Sequence, residues 1–406
     1  MAEAAVSAAQ PPTIGELSME TPWINERQLA RALVRNEAFW QGQLEEYPLI
    51  WITVPNAKPG PAVAQPENEE GLWTNVDYIM ESTEVGLSRS YYAGDALPVY
   101  SPWLGPDQFA GWLGADLILR PREHNTSWVV PFIEDWDDYP EFRINPGNRW
   151  WRLYLEIVRR SAEAGRGKWI TGFPDLHTGI DALNAMRGPE RLLLDLKDNP
   201  AAVHRAMHQM TELWKSVVDT VWSIIGPTGQ GTSQWTMGWS SWRFLCIGQM
   251  DFTCMISPRM YREFCLQDML DCCDHVDYSL YHLDGPGALP HLPQLYAAQK
   301  LNSIQWIPGA GAPPLSQWTG LLRQMQDAGK SVQVWPLLNC RLDELSTEVQ
   351  ILCETLDPTR LFIVAEVDRV ETADGLLALV KEVCASKRGA EIQGAGRSGH
   401  EKLAAQ

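Results

Sequence analysis

The C-terminal half of the chain alternates between short apolar segments and amphipathic segments, and this regular succession restricts the possible folds. The segments DYSLYHLDG, LNSIQWIPGAG, SVQVWPLL and TRLFIVAEV predict four strands between residues 277 and 367. Each of them is followed by a stretch whose apolar residues have helical spacing. Four consecutive β–α units predict a parallel sheet with helices packed outside it.

Upstream segments continue this pattern. Residues 167–175, GKWITGFPD, predict a strand, and residues 200–226 predict a long helix. LPVYSPWLG and TSQWTMGW predict two more strands. Because six to eight such units occur without the GxGxxG fingerprint of a dinucleotide-binding sheet, they favour a closed (β/α)8 barrel, the TIM barrel, over a doubly wound sheet.

The rest of the chain defines the expected domain organisation. Residues 14–387 are predicted to form one α/β barrel domain, in which the irregular segment 67–150 supplies loop elaborations over the C-terminal mouth. Residues 1–13 and 388–406 are small, polar and rich in Gly or Ala, so disordered tails are predicted there.

Targeting signals and membrane spans are not recognisable in the sequence. The first residues contain neither the basic nor the apolar region of a secretory signal, and no apolar stretch reaches 18 residues. The eight cysteines have neither CxxC pairs nor small-domain disulfide spacing, which is typical of a reducing compartment. We therefore expect a cytoplasmic protein that spans no membrane.

The charge of the chain restricts its partners. The formal net charge is −18, with 33 basic and 51 acidic residues and no basic run. Nucleic acids and anionic membranes are bound by clustered Lys and Arg, so both are disfavoured and a small-molecule substrate is expected. The chain also contains 19 tryptophans, whose rings either fill a wide core or line a ligand pocket.

Polar side chains at the predicted strand ends are the candidate catalytic residues, because barrel enzymes place their chemistry there. His282 and Asp284 lie two residues apart on one strand, so both point to the same side. A histidine beside a carboxylate can bind a divalent metal such as zinc or manganese, or act as an acid–base pair. A hydrogen-bonded structural pair below the Gly-Pro-Gly turn is the alternative.

Further candidates lie at other strand ends. Glu366 follows four apolar residues and is a candidate third metal ligand or general acid, with a salt bridge at the barrel rim as the alternative. Asp175 and His177 repeat the two-residue spacing and are candidates for substrate contact or proton relay, although Asp175 could instead cap a helix. The side chains predicted to line the substrate pocket are Trp235, Trp239, Gln305, Trp306 and Trp335.

With these residues placed, the chain resembles the uroporphyrinogen decarboxylase superfamily, which includes the cobalamin-linked methyltransferases. The resemblance spans about residues 150–386 and depends on GFPDLHTGIDALNAMRGPERLLLDLKDNPAAVHRAM, ISPRMYREFCLQDML and, above all, YHLDGPGALPHL with the later IQWIPGAG. The last block is similar to that of a bacterial subgroup with the motif YHLDGPGA. The resemblance implies a (β/α)8 barrel, and members of the superfamily often form homodimers.

The resemblance also implies a metal site with altered ligands. The methyltransferase branch binds zinc through a His-x-Cys-Gly strand end and a later Cys near the last strand. His282 matches the first ligand, Asp284 stands at the position of the first Cys, and Glu366 or Val367 lies near that of the second. Nitrogen and oxygen ligands then favour zinc, manganese or another divalent ion without thiol methylation. The Arg-rich motif of the decarboxylase branch is missing, which argues against porphyrinogen decarboxylation.

These features together predict a metal-dependent transferase or lyase without a nucleotide cofactor. It would act on a small cyclic substrate by group transfer or by lytic cleavage of a C–O or C–C bond. Two alternatives remain open. One is a glycoside-cleaving enzyme that uses paired carboxylates from Asp175, Asp284 and Glu366. The other is a methyltransferase component, or a binding partner, of a corrinoid protein.

Overall fold

A computed structural model of the chain describes residues 19–123, 125–177 and 179–403, with side chains up to residue 390. The helices in this part of the chain are α1 (Glu26–Trp40), α2 (Gly71–Thr74), α3 (Val76–Arg89), α4 (Gln108–Trp112), α5 (Arg149–Ala164), α6 (Gly179–Arg187), α7 (Pro189–Asp198), α8 (Pro200–Ile225), α9 (Pro258–Phe264), α10 (Leu266–His275), α11 (Leu292–Ala297), α12 (Thr319–Asp327), α13 (Leu345–Thr355) and α14 (Val370–Leu403). The strands are β1 (Leu49–Val54), β2 (Tyr91–Gly94), β3 (Val99–Tyr100), β4 (Leu117–Arg120), β5 (Thr126–Val129), β6 (Ile170–Thr171), β7 (Phe244–Gly248), β8 (Tyr278–Asp284), β9 (Ser303–Ile307), β10 (Ser331–Val334) and β11 (Leu361–Glu366).

Seven strands form one mostly parallel sheet, in the order β2-β1-β11-β10-β9-β8-β7. Strand β2 runs antiparallel to β1, and all other neighbours in this sheet are parallel. Strands β3 and β6 form a separate parallel pair, and β4 and β5 form an antiparallel pair. Since parallel neighbours end at the same edge, the residues that follow β7 and β8 are brought close together.

The sheet separates two hydrophobic cores, because side chains alternate along each strand. On β8, Leu280 belongs to one core, whereas Tyr281 and Leu283 belong to the larger core between the sheet and the helices. Helix α1 packs on the first core, where the rings of Trp40 and Phe244 lie 4.1 Å apart at the start of β7. Helix α1 therefore covers the amino ends of the strands, and the carboxyl ends lie on the other side.

The fold agrees with the prediction at the level of an α/β protein with a mostly parallel sheet. Strands β8 to β11 lie within the four predicted segments, and α8 matches the helix predicted over 200–226. The single helix predicted over 257–276 is instead divided into α9 and α10. The division falls at Cys265, whose φ of −118° departs from helical geometry.

The upstream strands are shorter than the sequence predicts. LPVYSPWLG contributes only β3 and GKWITGFPD only β6, each two residues long. The segment TSQWTMGW, residues 232–239, forms no strand in the described structure. Its first residue, Thr232, makes one antiparallel bridge with Ser240, which follows the segment. Part of the reason is that a side chain replaces the backbone ladder here, since the N–H of Cys246 on β7 donates to Oε1 of Gln234 over 2.7 Å.

The segment 67–150, predicted as irregular loops, contains several regular elements, including the fourteen-residue helix α3. Its N-cap is Asn75, whose Oδ1 accepts a hydrogen bond from the N–H of Tyr78 over 3.1 Å, a signal typical of a helix start. Part of the segment does reach the strand ends, because Nε2 of Gln108 donates to the carbonyl of Asp175 over 2.6 Å.

The two predicted tails differ in the structure. Residues 1–13 lie outside the described residues. Helix α14 continues to Leu403, through most of the segment 388–406 for which disorder was expected, because Ala, Glu, Gln, Lys and Arg favour helix between its glycines. In the described part of the chain, no helix combines the length and apolar character that a membrane span requires.

Candidate functional site

Three potential metal ligands meet at the carboxyl ends of two adjacent strands. His282 and Asp284 come from β8, and Asp251 follows β7. One ligand atom from each of the three side chains lies within 4.8 Å of the others. His282 is buried, with 8% of its surface exposed, whereas both carboxylates are exposed. The group therefore has a buried nitrogen donor and two oxygen donors that face the solvent side.

The end of β8 places two of these residues on one face. His282 and Asp284 alternate with the outward-facing Leu283, as the period of a strand requires. The chain then turns sharply at Gly285, which has a φ of +71° that favours glycine. The N–H of Gly285 donates to the carbonyl of Ile307 over 2.8 Å, so the turn is tied to the end of β9.

Asp251 is positioned by a neighbouring carboxylate. It begins a 3-10 turn, Asp251–Met255, directly after β7. The backbone N–H groups of Asp251 and Phe252 each donate to the carboxylate of Asp181, both over 2.9 Å. Burial raises the pKa of Asp181 to about 6, with His177 acting against the shift. Asp181 thus anchors the turn that carries Asp251.

The ring of His282 is held by two neighbours. Its Nδ1 lies 2.5 Å from Oε1 of Gln305 on β9. The ring of Trp235 contacts it edge-to-face, with centroids 5.2 Å apart and an interplanar angle of 64°. Nε2 has no hydrogen-bond partner among the described residues, so it remains available to a ligand.

A second group of titratable side chains lies beside this one. Asp175 and His177 follow β6, and Nε2 of His177 lies 3.9 Å from Oδ2 of Asp175. Gln249, after β7, donates from Nε2 to Oδ1 of Asp175 over 2.5 Å. Burial raises the pKa of Asp175 to about 6, while the histidines His177 and His282 oppose the shift and Asp251 adds to it. The electrostatic coupling of Asp175 to His282 and Asp251 joins the two groups into one site.

The pKa of His177 is raised by the carboxyl groups around it. Burial lowers its pKa, but the surrounding carboxylates outweigh this effect and the pKa lies above its usual value. The carboxyl groups that raise it are Asp175, Asp181, Asp251 and Asp107. Its Nε2 is buried and makes no hydrogen bond with a described residue, so this polar atom is left without a protein partner.

Glu366 is not brought into the metal-ligand group. It ends β11, and strands β10 and β9 lie between β11 and β8 in the sheet. The third residue of the group is Asp251, which was not among the residues predicted from the sequence. The short apolar segment FLCIG followed by QMD is a strand-end signal of the same kind as IVAEV, so Asp251 could have been found from the sequence.

Two of the five predicted pocket residues face elsewhere. Trp306 is fully buried in the core between sheet and helices, where its ring lies 5.1 Å from that of Trp318. It follows Gln305, which faces the site, so strand alternation directs Trp306 to the other face. Trp239 is fully buried near α1, where Nε1 of Trp40 donates to its carbonyl over 2.8 Å. Neither ring is placed to contact a substrate at the strand ends.

The other three predicted pocket residues lie on the site side of the sheet. Trp235 and Trp335 are half-buried and pack on the smaller core, and Trp235 contacts His282. The Nε1 atoms of both rings are buried without a hydrogen-bond partner among the described residues. Gln305 is fully buried, and its amide is already used by protein groups, so it does not offer substrate a hydrogen bond.

The donor set fits a divalent cation with nitrogen and oxygen ligands. One imidazole and two carboxylates suit manganese, zinc or a similar ion, and they leave coordination positions for substrate or water. Burial raises the pKa of Asp284, with His282 acting against the shift and Asp251 adding to it. A cation bound between these carboxylates would relieve the repulsion between Asp251 and Asp284.

Comparison with known proteins shows a likeness in fold. The chain is similar to a solved methyltransferase from Methanosarcina mazei, with a TM-score of 0.56 and 11% sequence identity. The match covers 86% of this chain and 98% of the other. No protein-family model matches the chain, and no curated protein matches its sequence. At this identity the similarity supports an α/β fold and nothing finer.

Proposed function

We propose that the protein is a metal-dependent group transferase of the methyltransferase class. The observation that carries this proposal is the convergence of Asp251, His282 and Asp284, whose ligand atoms lie within 4.8 Å of one another at adjacent strand ends. The fold-level similarity to a methyltransferase supports transfer over the lytic cleavage that the sequence also allows. A divalent cation held there would act as a Lewis acid on the group transferred or on its acceptor.

The residues beside the metal ligands supply proton chemistry. Asp175, with a pKa raised to about 6, and His177, with a raised pKa, exchange a proton with substrate near neutral pH. His177 would donate from Nε2 to a leaving oxygen or nitrogen, and Asp175 would stabilise the charged ring. Gln249 keeps Asp175 in place through its 2.5 Å hydrogen bond.

The charge of the site favours a neutral or cationic small molecule. Among the described residues, the one ion-pair partner of the five site carboxyl groups is His177, which contacts Asp175. These carboxyl groups are Asp107, Asp175, Asp181, Asp251 and Asp284. Phosphate and carboxylate substrates are normally bound by Arg or Lys. No described Arg or Lys forms an ion pair with these carboxyl groups, so beyond the proposed cation a nucleotide or a polycarboxylate would have only His177 as a charge partner.

We further propose that the strands close into a (β/α)8 barrel. The pair β3–β6 is extended by the N–H of Phe173, which donates to the carbonyl of Ser233 over 2.8 Å. The adjacent Gln234 accepts from the N–H of Cys246 on β7 over 2.7 Å. These contacts support a continuous path from the seven-stranded sheet to the short strands, with the site at the C-terminal mouth.

The test is methyl transfer by the purified full chain. The protein, with manganese, with zinc or metal-free, is mixed with cob(I)alamin and methanol, trimethylamine or methanethiol, and methylcobalamin formation is followed by absorbance. We expect the protein to turn over one of the donors. EDTA should abolish this turnover and added metal should restore it, and the His282→Ala variant should be inactive. Failure to turn over any donor in the metal-loaded protein would contradict the methyltransferase assignment. Turnover that EDTA spares would contradict metal dependence and favour paired carboxylates.

A further inference from the structure

A chain of hydrogen bonds leads from the ring of His282 across two further strands. Nδ1 of His282 lies 2.5 Å from Oε1 of Gln305. Nε2 of Gln305 donates to Oε1 of Gln333 over 2.6 Å. Nε2 of Gln333 then donates to the carbonyl of Thr236 over 2.7 Å. The chain thus connects β8, β9 and β10 with the segment that precedes β7.

The direction of this chain is fixed at its far end. A backbone carbonyl only accepts hydrogen bonds, so Gln333 must present its NH2 group to Thr236. Its Oε1 then faces Gln305, so Gln305 must donate a hydrogen bond to it from its own NH2 group. Reversing either amide would place two donors or two acceptors face to face inside the protein. Oε1 of Gln305 is therefore the atom that faces His282.

This direction determines where the imidazole carries its proton. Since Oε1 of Gln305 can only accept, Nδ1 of His282 must donate. A neutral ring then has its lone pair on Nε2, which has no protein partner among the described residues. Trp235 contacts the ring from one side and limits its rotation. The lone pair is thereby reserved for a ligand in the site.

We propose that Gln305 and Gln333 are positioning residues that hold His282 in the Nδ1–H tautomer and so present Nε2 as the metal ligand. The role of Nε2 rests on the proposed function, whereas the tautomer is a property of the metal-free protein. Both glutamines are fully buried. An amide group without a hydrogen-bond partner is destabilising in the protein interior, so this chain of hydrogen bonds has only one favourable direction.

The first test is the tautomer itself. The full chain is labelled with 15N-histidine, freed of metal with a chelator, and studied by NMR about two pH units above the ordinary pKa of histidine. The protein has eight histidines, and the His282 signal is assigned by its loss in His282→Ala. We expect a protonated Nδ1 and an unprotonated Nε2. A protonated Nε2 would overturn the proposal.

The second test changes a residue that does not touch His282. In Gln333→Leu the amide of Gln305 is free to reverse, so we expect a mixture of His282 tautomers. Manganese affinity should then fall about tenfold, a usual loss when an orienting partner of a metal ligand is removed. Gln333→Glu loses the donor toward the carbonyl of Thr236 and should be less stable, but it keeps an acceptor toward Gln305. It should therefore retain the single tautomer, which tests the proposal even if the leucine variant does not fold.

Gln326→Leu is the matched control, because Gln326 is also buried and makes two hydrogen bonds of 2.9 Å, both with the backbone of Asp357. It should lose stability and keep the His282 tautomer. An unchanged tautomer in a folded Gln333→Leu would contradict the role of Gln333. An Nδ1–H tautomer in a protein that binds neither manganese nor zinc would support the positioning chain and contradict the proposed function.

Discussion

The carboxylate of Asp181 accepts a 2.9 Å hydrogen bond from the backbone N–H of Asp251. This contact joins the N-terminal end of α6 to the turn after β7, and it sets the position of a proposed metal ligand, although Asp181 itself is not one of the three. The fold therefore places Asp251 by means of a second acidic residue. The charge of His177 also acts on Asp181, which links this anchor to the proposed proton-exchanging pair of Asp175 and His177.

Asp181→Asn should weaken metal binding although it leaves all three ligands in place. An asparagine offers one acceptor oxygen for two N–H groups, so the turn Asp251–Met255 loses a hydrogen bond worth about 1–2 kcal/mol. We expect the manganese dissociation constant to rise by about tenfold in calorimetry. The control is Asp135→Asn, since Asp135 caps another 3-10 turn through the N–H of Asp137. Equal losses in both variants would contradict the anchoring role.

Asp175 should make the fold less stable as the pH rises. Its folded pKa of about 6 lies above the ordinary value of 3.8, because burial disfavours the charged carboxylate. The neutral carboxyl thus stabilises the fold fully below about pH 4, and this contribution is lost as the pH rises through 6. At neutral pH the cost is at most about 3 kcal/mol.

Asp175→Asn should remove this pH dependence while it also removes the proton-exchanging group. Urea unfolding at pH 4 and pH 7 should show that the variant gains stability relative to the wild type only at the higher pH. Turnover should fall at both. A variant that is equally destabilised at both pH values would show that the charged form of Asp175 is not penalised by burial.

The two faces of the sheet should respond differently to loss of a tryptophan. Trp306→Leu removes a fully buried ring from the larger core between the sheet and the helices. It should lower the free energy of unfolding by about 2–4 kcal/mol and leave the manganese affinity unchanged. Trp235→Leu removes the ring that contacts His282 and should weaken manganese binding several-fold at a smaller cost in stability. The reverse pattern would place Trp306 in the ligand pocket.

Much of the C-terminal half could be predicted from the sequence, because each of its strands is a short, largely apolar segment bounded by polar, Gly or Pro residues. Strand β8, for example, begins within DYSLYHLDG and ends at Asp284, before the glycine that allows the turn. The spacing of His282 and Asp284 then follows from the period of two. Local sequence patterns were sufficient to predict a strand wherever the strand is formed by backbone hydrogen bonds alone.

The rest depended on contacts that local patterns do not contain. The side chain of Gln234 replaces a ladder hydrogen bond, so TSQWTMGW looked like a strand and forms only a bridge. Trp306 and Gln305 are adjacent in sequence and therefore point to opposite faces of the sheet. Which of them faces the site is known only once the structure shows on which face the helices pack. Glu366 and Asp251 are both strand-end carboxylates, and the strand order decides which of them reaches His282.

The identity of the third ligand, a carboxylate from Asp251 or from Glu366, is the most direct test of the account. Binding of manganese and of zinc by the metal-free full chain should be measured by calorimetry for the wild type, Asp251→Asn and Glu366→Gln. We expect one ion per chain in the wild type, a loss of at least about tenfold in affinity in Asp251→Asn, and wild-type affinity in Glu366→Gln. Absence of binding in the wild type, or a loss confined to Glu366→Gln, would contradict the site formed by Asp251, His282 and Asp284.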